Sequence, residues 1–295
     1  MPPIPRRRFL AALAGAALLR GAPWPVAAQA EGALPQTLPQ PLDPQATIAF
    51  TGHSMLAAIF PTDDHAYNDG VDFPSLWPGP THFDFAGFSS NAARWRALGY
   101  ARTGSYDRLV MTELGDLKTG LPHPASAQGR QNLQHLYWFA MTAVSKGAEP
   151  VLYMPWSPLD PDLDAQAQPV FHYQRDWLER HVGRPVWIIP AGLFARAARD
   201  HYKDDGALFV DLVHWRPNGP GPTGLAYLTY QFFARARVPQ PTLFPEMEDM
   251  AWRVLQDYRW AGFGGTGAVP ALAIEDPLPD PAPVPPLPVV PAARP

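Results

Sequence analysis

Short apolar runs along the chain alternate with longer stretches whose apolar residues recur at helical spacing. The runs are bounded by Gly, Pro or charge, which is typical of strands buried on both faces. Predicted strands cover 47–50, 106–113, 149–155, 184–190 and 207–213. Predicted helices cover 132–148, 191–203 and 222–236. This alternation predicts a three-layer α/β/α sandwich with a mainly parallel sheet and right-handed crossovers.

The first thirty residues have the pattern of a targeting signal rather than of a folded segment. Arg6, Arg7 and Arg8 precede an apolar stretch from Phe9 to Leu19, and small residues at 28–30 offer a cleavage site. The segment resembles a bacterial twin-arginine export signal. A bilayer span needs about 20 apolar residues, so no stable membrane span is expected. We therefore expect residues 1–30 to be a signal peptide and the protein to be exported, either periplasmic or secreted.

Proline marks the two ends of the remaining chain. Residues 31–46 carry Pro at nearly every fourth position and predict an extended linker. Residues 276–295 alternate Pro with small apolar residues and predict a disordered tail, with a docking segment as the alternative. One folded domain is expected between them, over 47–262.

Charge and cysteine content exclude several functions. The chain has 23 basic and 27 acidic residues, and loss of the four arginines in 1–30 leaves a net charge near −8. An acidic protein of this kind is a poor candidate for binding nucleic acid or anionic lipid. The absence of cysteine excludes disulfides, thiolate metal sites and Cys nucleophiles.

Reactive side chains follow three of the predicted strands. Ser54 comes shortly after 47–50, Glu113 ends 106–113, and Asp211 and His214 close 207–213. Ligands of parallel α/β sheets bind beyond the carboxyl ends of the strands. A Ser hydroxyl needs a base to become a nucleophile, and an imidazole needs a partner to fix its tautomer. By itself Ser54 fits a helix cap equally well.

The residues resemble the SGNH, or GDSL-like, hydrolase family. "AFTGHSMLAAIF" has the family's strand, Gly-x-Ser and helix, and "FVDLVHWRPNGPGPTG" has its Asp-x-x-His followed by Gly. The resemblance implies a flavodoxin-like fold and no cofactor. It gives Ser54 the role of nucleophile and of one oxyanion donor, His214 that of general base, and Asp211 that of the group that orients the imidazole.

The oxyanion site departs from the family pattern. The resemblance points to the Gly87 amide as a second donor, with Gly99 and Gly104 as alternatives. The family's third block supplies an Asn, but the aligned stretch here reads "LVMTELGDL". Glu113 in that stretch is a candidate substrate contact or a structural partner of an Arg. Loss of one oxyanion donor costs about 10² to 10³ in rate.

Three further features surround these residues. Trp156 and Trp215 are candidate substrate contacts, and both fit core packing as well. The acidic stretch 63–72 lacks the regular spacing of a calcium loop, so a solvated rim over the site is expected and no metal site is predicted.

The function predicted from the sequence is an exported serine hydrolase that cleaves an ester or O-acyl bond of a small molecule or glycan. Two alternatives stay open. One is a non-catalytic binding protein on the same fold, and the other is an O-acyltransferase that shares the acyl-enzyme step.

Overall fold

A five-stranded parallel sheet lies at the centre of the molecule. The structure is a computed structural model, and it describes residues 38–61, 71–85, 99–112, 121–156, 161–211, 213–217, 219–239, 242–258, 272, 274 and 278–286. The strands are β1 Ile48–Gly52, β2 Thr81–Phe85, β3 Arg108–Met111, β4 Glu149–Tyr153 and β5 Trp187–Ile189. Their order is β2-β1-β3-β4-β5, and each neighbouring pair is parallel. This is the flavodoxin-like order, so the predicted fold class is confirmed.

Helices cover the sheet in two groups. The described helices are α1 Ser54–Ala57, α2 Phe73–Leu76, α3 Tyr100–Thr103, α4 Ala127–Ser145, α5 Pro161–Val182, α6 Ala191–Tyr202, α7 Asp205–Leu208, α8 Pro220–Ala234 and α9 Pro245–Asp257. The helices α3, α4 and α5 pack in succession, and α2, α6 and α9 pack around α8. The continuous apolar runs of β1, β3 and β4 are buried between these groups, as strands covered on both faces should be.

One predicted strand is wrong, and one strand was missed. Asp204 caps α7 by accepting from the Gly206 N–H at 2.9 Å, so the run 207–213 begins as a helix. After it, Phe209 forms only an isolated bridge with Trp215. The missed strand β2 has described side chains that are half-buried rather than buried, which is why its sequence THFDF has no continuous apolar run.

Both Pro-rich ends pack onto the domain where they are described. Leu38 is only 1% exposed and belongs to the hydrophobic core. The Leu42 N–H donates to the Phe233 carbonyl at 2.8 Å. The expected linker 31–46 therefore packs on the folded unit from Leu38 onward, and its backbone is bonded to α8. Similarly, the prediction of a disordered tail is wrong for 278–286, which lie against α4.

The described helices include none that is both long and apolar enough to cross a bilayer. The predicted signal peptide lies outside the described residues.

Candidate active site

Ser54 stands at the first position of α1, directly beyond the carboxyl end of β1. The residue before it, His53, has extended backbone angles and is the N-cap, because its Nδ1 accepts from the Met55 N–H at 3.4 Å. Since His53 caps the helix, the interpretation of Ser54 as the capping hydroxyl is wrong. Ser54 is 9% exposed, so most of the residue is buried.

Gly52 makes the sharp strand-to-helix turn possible. A Cβ at this position would lie 2.6 Å from Leu56 Cδ2 and 2.9 Å from Thr112 Cγ2. Those distances are shorter than real carbon contacts, so only glycine allows α1 to approach β1 and the end of β3 this closely. Thr112 is fixed there by its Oγ1, which donates to the Tyr153 carbonyl at 3.0 Å.

Asp211 and His214 form a local unit after α7. The Asp211 Oδ1 accepts from the Val213 N–H at 2.8 Å and from the His214 N–H at 2.7 Å, while Oδ2 lies 2.6 Å from His214 Nδ1. Three hydrogen bonds therefore set the orientation of the carboxylate. Burial alone would raise the pKa of Asp211, but the hydrogen bonds from His214 and Val213 outweigh it and lower this pKa.

The other nitrogen of His214 reaches Ser54. The distance from His214 Nε2 to Ser54 Oγ is 2.8 Å, although the two residues are 160 positions apart. Because Nδ1 faces a carboxylate, it carries the proton, and Nε2 then presents its lone pair to the Ser54 O–H. The structure thus brings together the three residues that the sequence singled out as catalytic.

Both predicted tryptophan contacts lie behind this site. Trp215 is 1% exposed and stacks on Phe209 with ring centroids 4.2 Å apart, so its ring lies in the core, which was the alternative to a substrate contact. Trp156 is 6% exposed and donates its indole N–H to the Val213 carbonyl at 2.9 Å. That bond braces the loop between Asp211 and His214, a role that no sequence signal indicated.

Further bonds hold the same loop from its other side. The Val210 N–H donates to the His214 carbonyl at 2.9 Å, and the Arg216 N–H donates to the Leu208 carbonyl at 2.6 Å. The Arg216 guanidinium also donates to the Gly206 carbonyl from Nε at 3.1 Å and from Nη2 at 2.5 Å. Arg216 is therefore a structural residue of the loop.

Several predicted site residues lie outside the described residues, namely Gly87, Glu113 and the acidic stretch from Asp63 to Asp69. Asp72, at its end, caps α2 by accepting from the Ser75 N–H at 2.7 Å. The alternatives to Gly87 have structural positions of their own: Gly99 caps α3 against the Asp84 carboxylate, and Gly104 ends α3 against the Tyr100 ring. In the part of the chain that the structure describes, no cluster of His, Asp and Glu is arranged to hold a metal ion.

The fold has a counterpart among solved structures. It is shared with a DUF4886 family protein from Bacteroides uniformis, which is 11% identical with a TM-score of 0.52, over 72% of this chain and 94% of that chain. A protein from Slackia heliotrinireducens, provisionally assigned to the SGNH hydrolases, is 16% identical with a TM-score of 0.46, over 65% of this chain and 100% of that chain. No family model and no curated protein matches the sequence. Identities this low show a fold alone, so the chemistry has to be argued from the site.

Proposed function

We propose that this protein is a serine hydrolase that cleaves an ester or O-acyl bond through an acyl-enzyme on Ser54. The observation that carries the proposal is the continuous chain of hydrogen bonds from Asp211 through His214 to the Ser54 hydroxyl. A nucleophile bonded to a base that is itself oriented by a third group is the arrangement that activates a hydroxyl at neutral pH.

Each residue has a separate task in the proposed reaction. His214 Nε2 takes the Ser54 proton as Oγ attacks the acyl carbon, and it returns that proton to the leaving alcohol. Asp211 stabilises the imidazolium that forms between these steps. Water activated by His214 then attacks the acyl-enzyme and releases the acid.

The negative charge on the acyl oxygen needs donors. The Ser54 backbone N–H, at the first position of α1, is the proposed first donor. The Gly87 amide is the proposed second donor, on the strength of the family resemblance. Where that family has an Asn, this chain has Thr112 and Glu113, and we expect Glu113 to contact the acceptor side of the substrate.

Substrate location follows from the proposed export signal. An exported enzyme meets acetylated glycans and lipid esters outside the cytoplasm, and these are the substrates that we propose. A non-catalytic binding protein on this fold would have no need to keep Ser54 Oγ within 2.8 Å of His214 Nε2.

Ser54→Ala tests the proposal. We expect it to reduce turnover of p-nitrophenyl acetate by roughly 10³-fold or more, because the nucleophile is lost. Ser105→Ala is the matched control. Ser105 is exposed before the amino end of β3, whereas Ser54 lies beyond the carboxyl end of β1. Fluorophosphonate should label the wild-type protein at Ser54. Equal turnover by the two variants, or labelling at a different residue, would refute the nucleophile.

Added glycerol separates the hydrolase from the O-acyltransferase. Both share the acyl-enzyme, and they differ only in whether water or an alcohol accepts the acyl group. Free acetate as the main product in glycerol supports the hydrolase, whereas acetylated glycerol as the main product favours the transferase.

A further inference from the structure

The proline-rich tail from Leu278 to Pro286 lies in an ordered position on the domain. Every residue in it is a proline or precedes one, which favours polyproline II geometry. Leu278, Pro281, Val284 and the adjoining Pro285 are partly buried, while the residues at 279, 280, 282, 283 and 286 are exposed. A period of three is that of polyproline II, so one face of the tail lies against the protein.

Ala282 is held through its backbone. Its N–H donates to Gln134 Oε1 at 2.7 Å, and its carbonyl accepts from Gln134 Nε2 at 3.0 Å and from the Trp138 indole N–H at 3.2 Å. Gln134 and Trp138 are four residues apart on α4, so they lie on one helix face. Contacts of this kind recognise a backbone conformation and require an N–H at the clamped position.

Aromatic side chains lie next to Trp138 and His181 on α4 and α5. Trp138 packs edge-on against His135 at 5.0 Å, and Tyr137 packs against Trp177 at 6.2 Å. Trp177 in turn contacts His181 at 4.2 Å. Proline-rich segments bind aromatic-lined surfaces in many proteins, because the preformed helix loses little conformational entropy on binding.

His181 distinguishes the two chain directions in which a segment could lie in the site. Its Nε2 lies 3.4 Å from Asp280 Oδ1, two residues before the clamped Ala282. The Asp280 side chain is 97% exposed, so this pair contributes little affinity. It does favour an acidic residue on the amino-terminal side of the clamp.

We propose that Gln134, Trp138 and His181 form a binding site for proline-rich peptides, and that residues 278–286 occupy this tail groove as its ligand in cis. The peptide class that fits is an extended X-Pro repeat with a small residue other than proline at the clamp and apolar residues four positions before it and two after it. When the tail leaves, the groove accepts such a segment from another chain.

Competition from the tail sets the conditions for a test. The tail belongs to the same chain as Gln134 and Trp138, so its effective concentration at the site far exceeds that of a free peptide at micromolar concentration. A free peptide at micromolar concentration therefore cannot displace it. Binding in trans becomes measurable only when the tail itself is weakened.

The test uses the full chain with Leu278→Ser, Ala282→Pro and Val284→Ser, which remove the two apolar anchors and the clamped N–H. We expect a fluorescein-labelled peptide of residues 278–286, LPDPAPVPP, to bind this tail variant at least ten times more tightly than it binds the wild-type chain. Fluorescence anisotropy measures the affinity. The same peptide with proline in place of its alanine should bind about tenfold more weakly.

Variants on α4 locate the binding. Added to the tail variant, Gln134→Ala should weaken the peptide about tenfold through two lost hydrogen bonds, and Trp138→Phe three- to tenfold through one. Gln128→Ala is the matched control, because its amide bonds Asn132 on the same helix and should leave affinity unchanged. Circular dichroism confirms that each variant is folded. Failure of the peptide to bind the tail variant, equal binding to the wild type, or equal effects of Gln134→Ala and Gln128→Ala would overturn the proposal.

Discussion

At the scale of single residues, Asp211 sets the orientation and the tautomer of His214 in the candidate site. It accepts two backbone N–H groups and the His214 Nδ1–H together. The negative charge therefore does more than attract an imidazolium, because it keeps the Nε2 lone pair directed at Ser54. A carboxylate is needed for this, since it can only accept hydrogen bonds when ionised.

Asp211→Asn tests whether the carboxylate fixes the tautomer of His214. The amide can donate to Nδ1 and so favour the wrong tautomer, and kcat should fall by about 10³- to 10⁴-fold while KM changes little. Steady-state hydrolysis of p-nitrophenyl acetate measures both constants. Asp205→Asn is the control, because Asp205 is also about half exposed and bonded, to Arg199 at 2.8 Å, but lies outside the triad. Similar kcat values for the two variants would contradict the assigned role.

The residue types of the site could be predicted from the sequence, because chemistry restricts a serine nucleophile to few partners. Ser54, Asp211 and His214 were identified from their order and from their places after apolar runs. The capping by His53 could not be predicted, because histidine is not among the residues that commonly cap helices. The burial of Trp215 depends on its contact with Phe209, and tertiary contacts of this kind leave no local pattern.

At the scale of elements, the end of β4 supports the loop that carries His214. Trp156 follows β4, and its indole bonds the Val213 carbonyl across 57 positions of sequence. The ring also packs against Trp215 at 5.3 Å. A rigid strand end thereby positions a loop that has no regular structure of its own.

Trp156→Phe should lower kcat about tenfold with KM nearly unchanged. The phenyl ring keeps most of the packing, but the Val213 carbonyl loses its donor, and a shift worth about 1.4 kcal/mol in the barrier gives a factor of ten. Trp138→Phe loses an indole bond of the same kind at the tail groove and serves as the control. Identical kcat values for the two variants would show that the bond does not position His214.

Elements were predictable where burial was complete. β1, β3, β4 and β5 stand out as apolar runs because both faces of the sheet are covered. The run 207–213 looks the same in sequence, but the cap by Asp204 directs it into a helix, and β2, whose described side chains are half-buried, carries no apolar run. Pattern alone does not distinguish a short helix and its following turn from a buried strand.

At the scale of the whole molecule, one buried histidine links stability to pH. His172 is 5% exposed, and its Nε2 lies 3.2 Å from the Tyr258 hydroxyl oxygen. Burial, with a smaller contribution from the charge of Arg175, lowers the pKa of His172 to about 3. An unfolded chain would protonate this imidazole near pH 6.5.

The free energy of unfolding should therefore fall as the pH drops from about 6.5 towards 3. In this window the unfolded state binds a proton that the folded state excludes, at a cost of up to about 1.4 kcal/mol per pH unit. His172→Gln keeps a neutral side chain that can bond the Tyr258 hydroxyl as donor or acceptor, and it should make the dependence on pH shallower. Urea unfolding at pH 7, 6, 5 and 4.5 measures the slopes. An unchanged slope in the variant would contradict this assignment.

The two hydrogen bonds that join Asp211, His214 and Ser54 differ greatly in the sequence separation of their partners. Asp211 and His214 are three residues apart, whereas His214 and Ser54 are separated by 160. The first pair can form within a single loop, but the second requires closure across most of the sheet, and such closures are slow because of their entropy. During refolding, the reactivity of Ser54 would therefore return only after this long-range contact has closed.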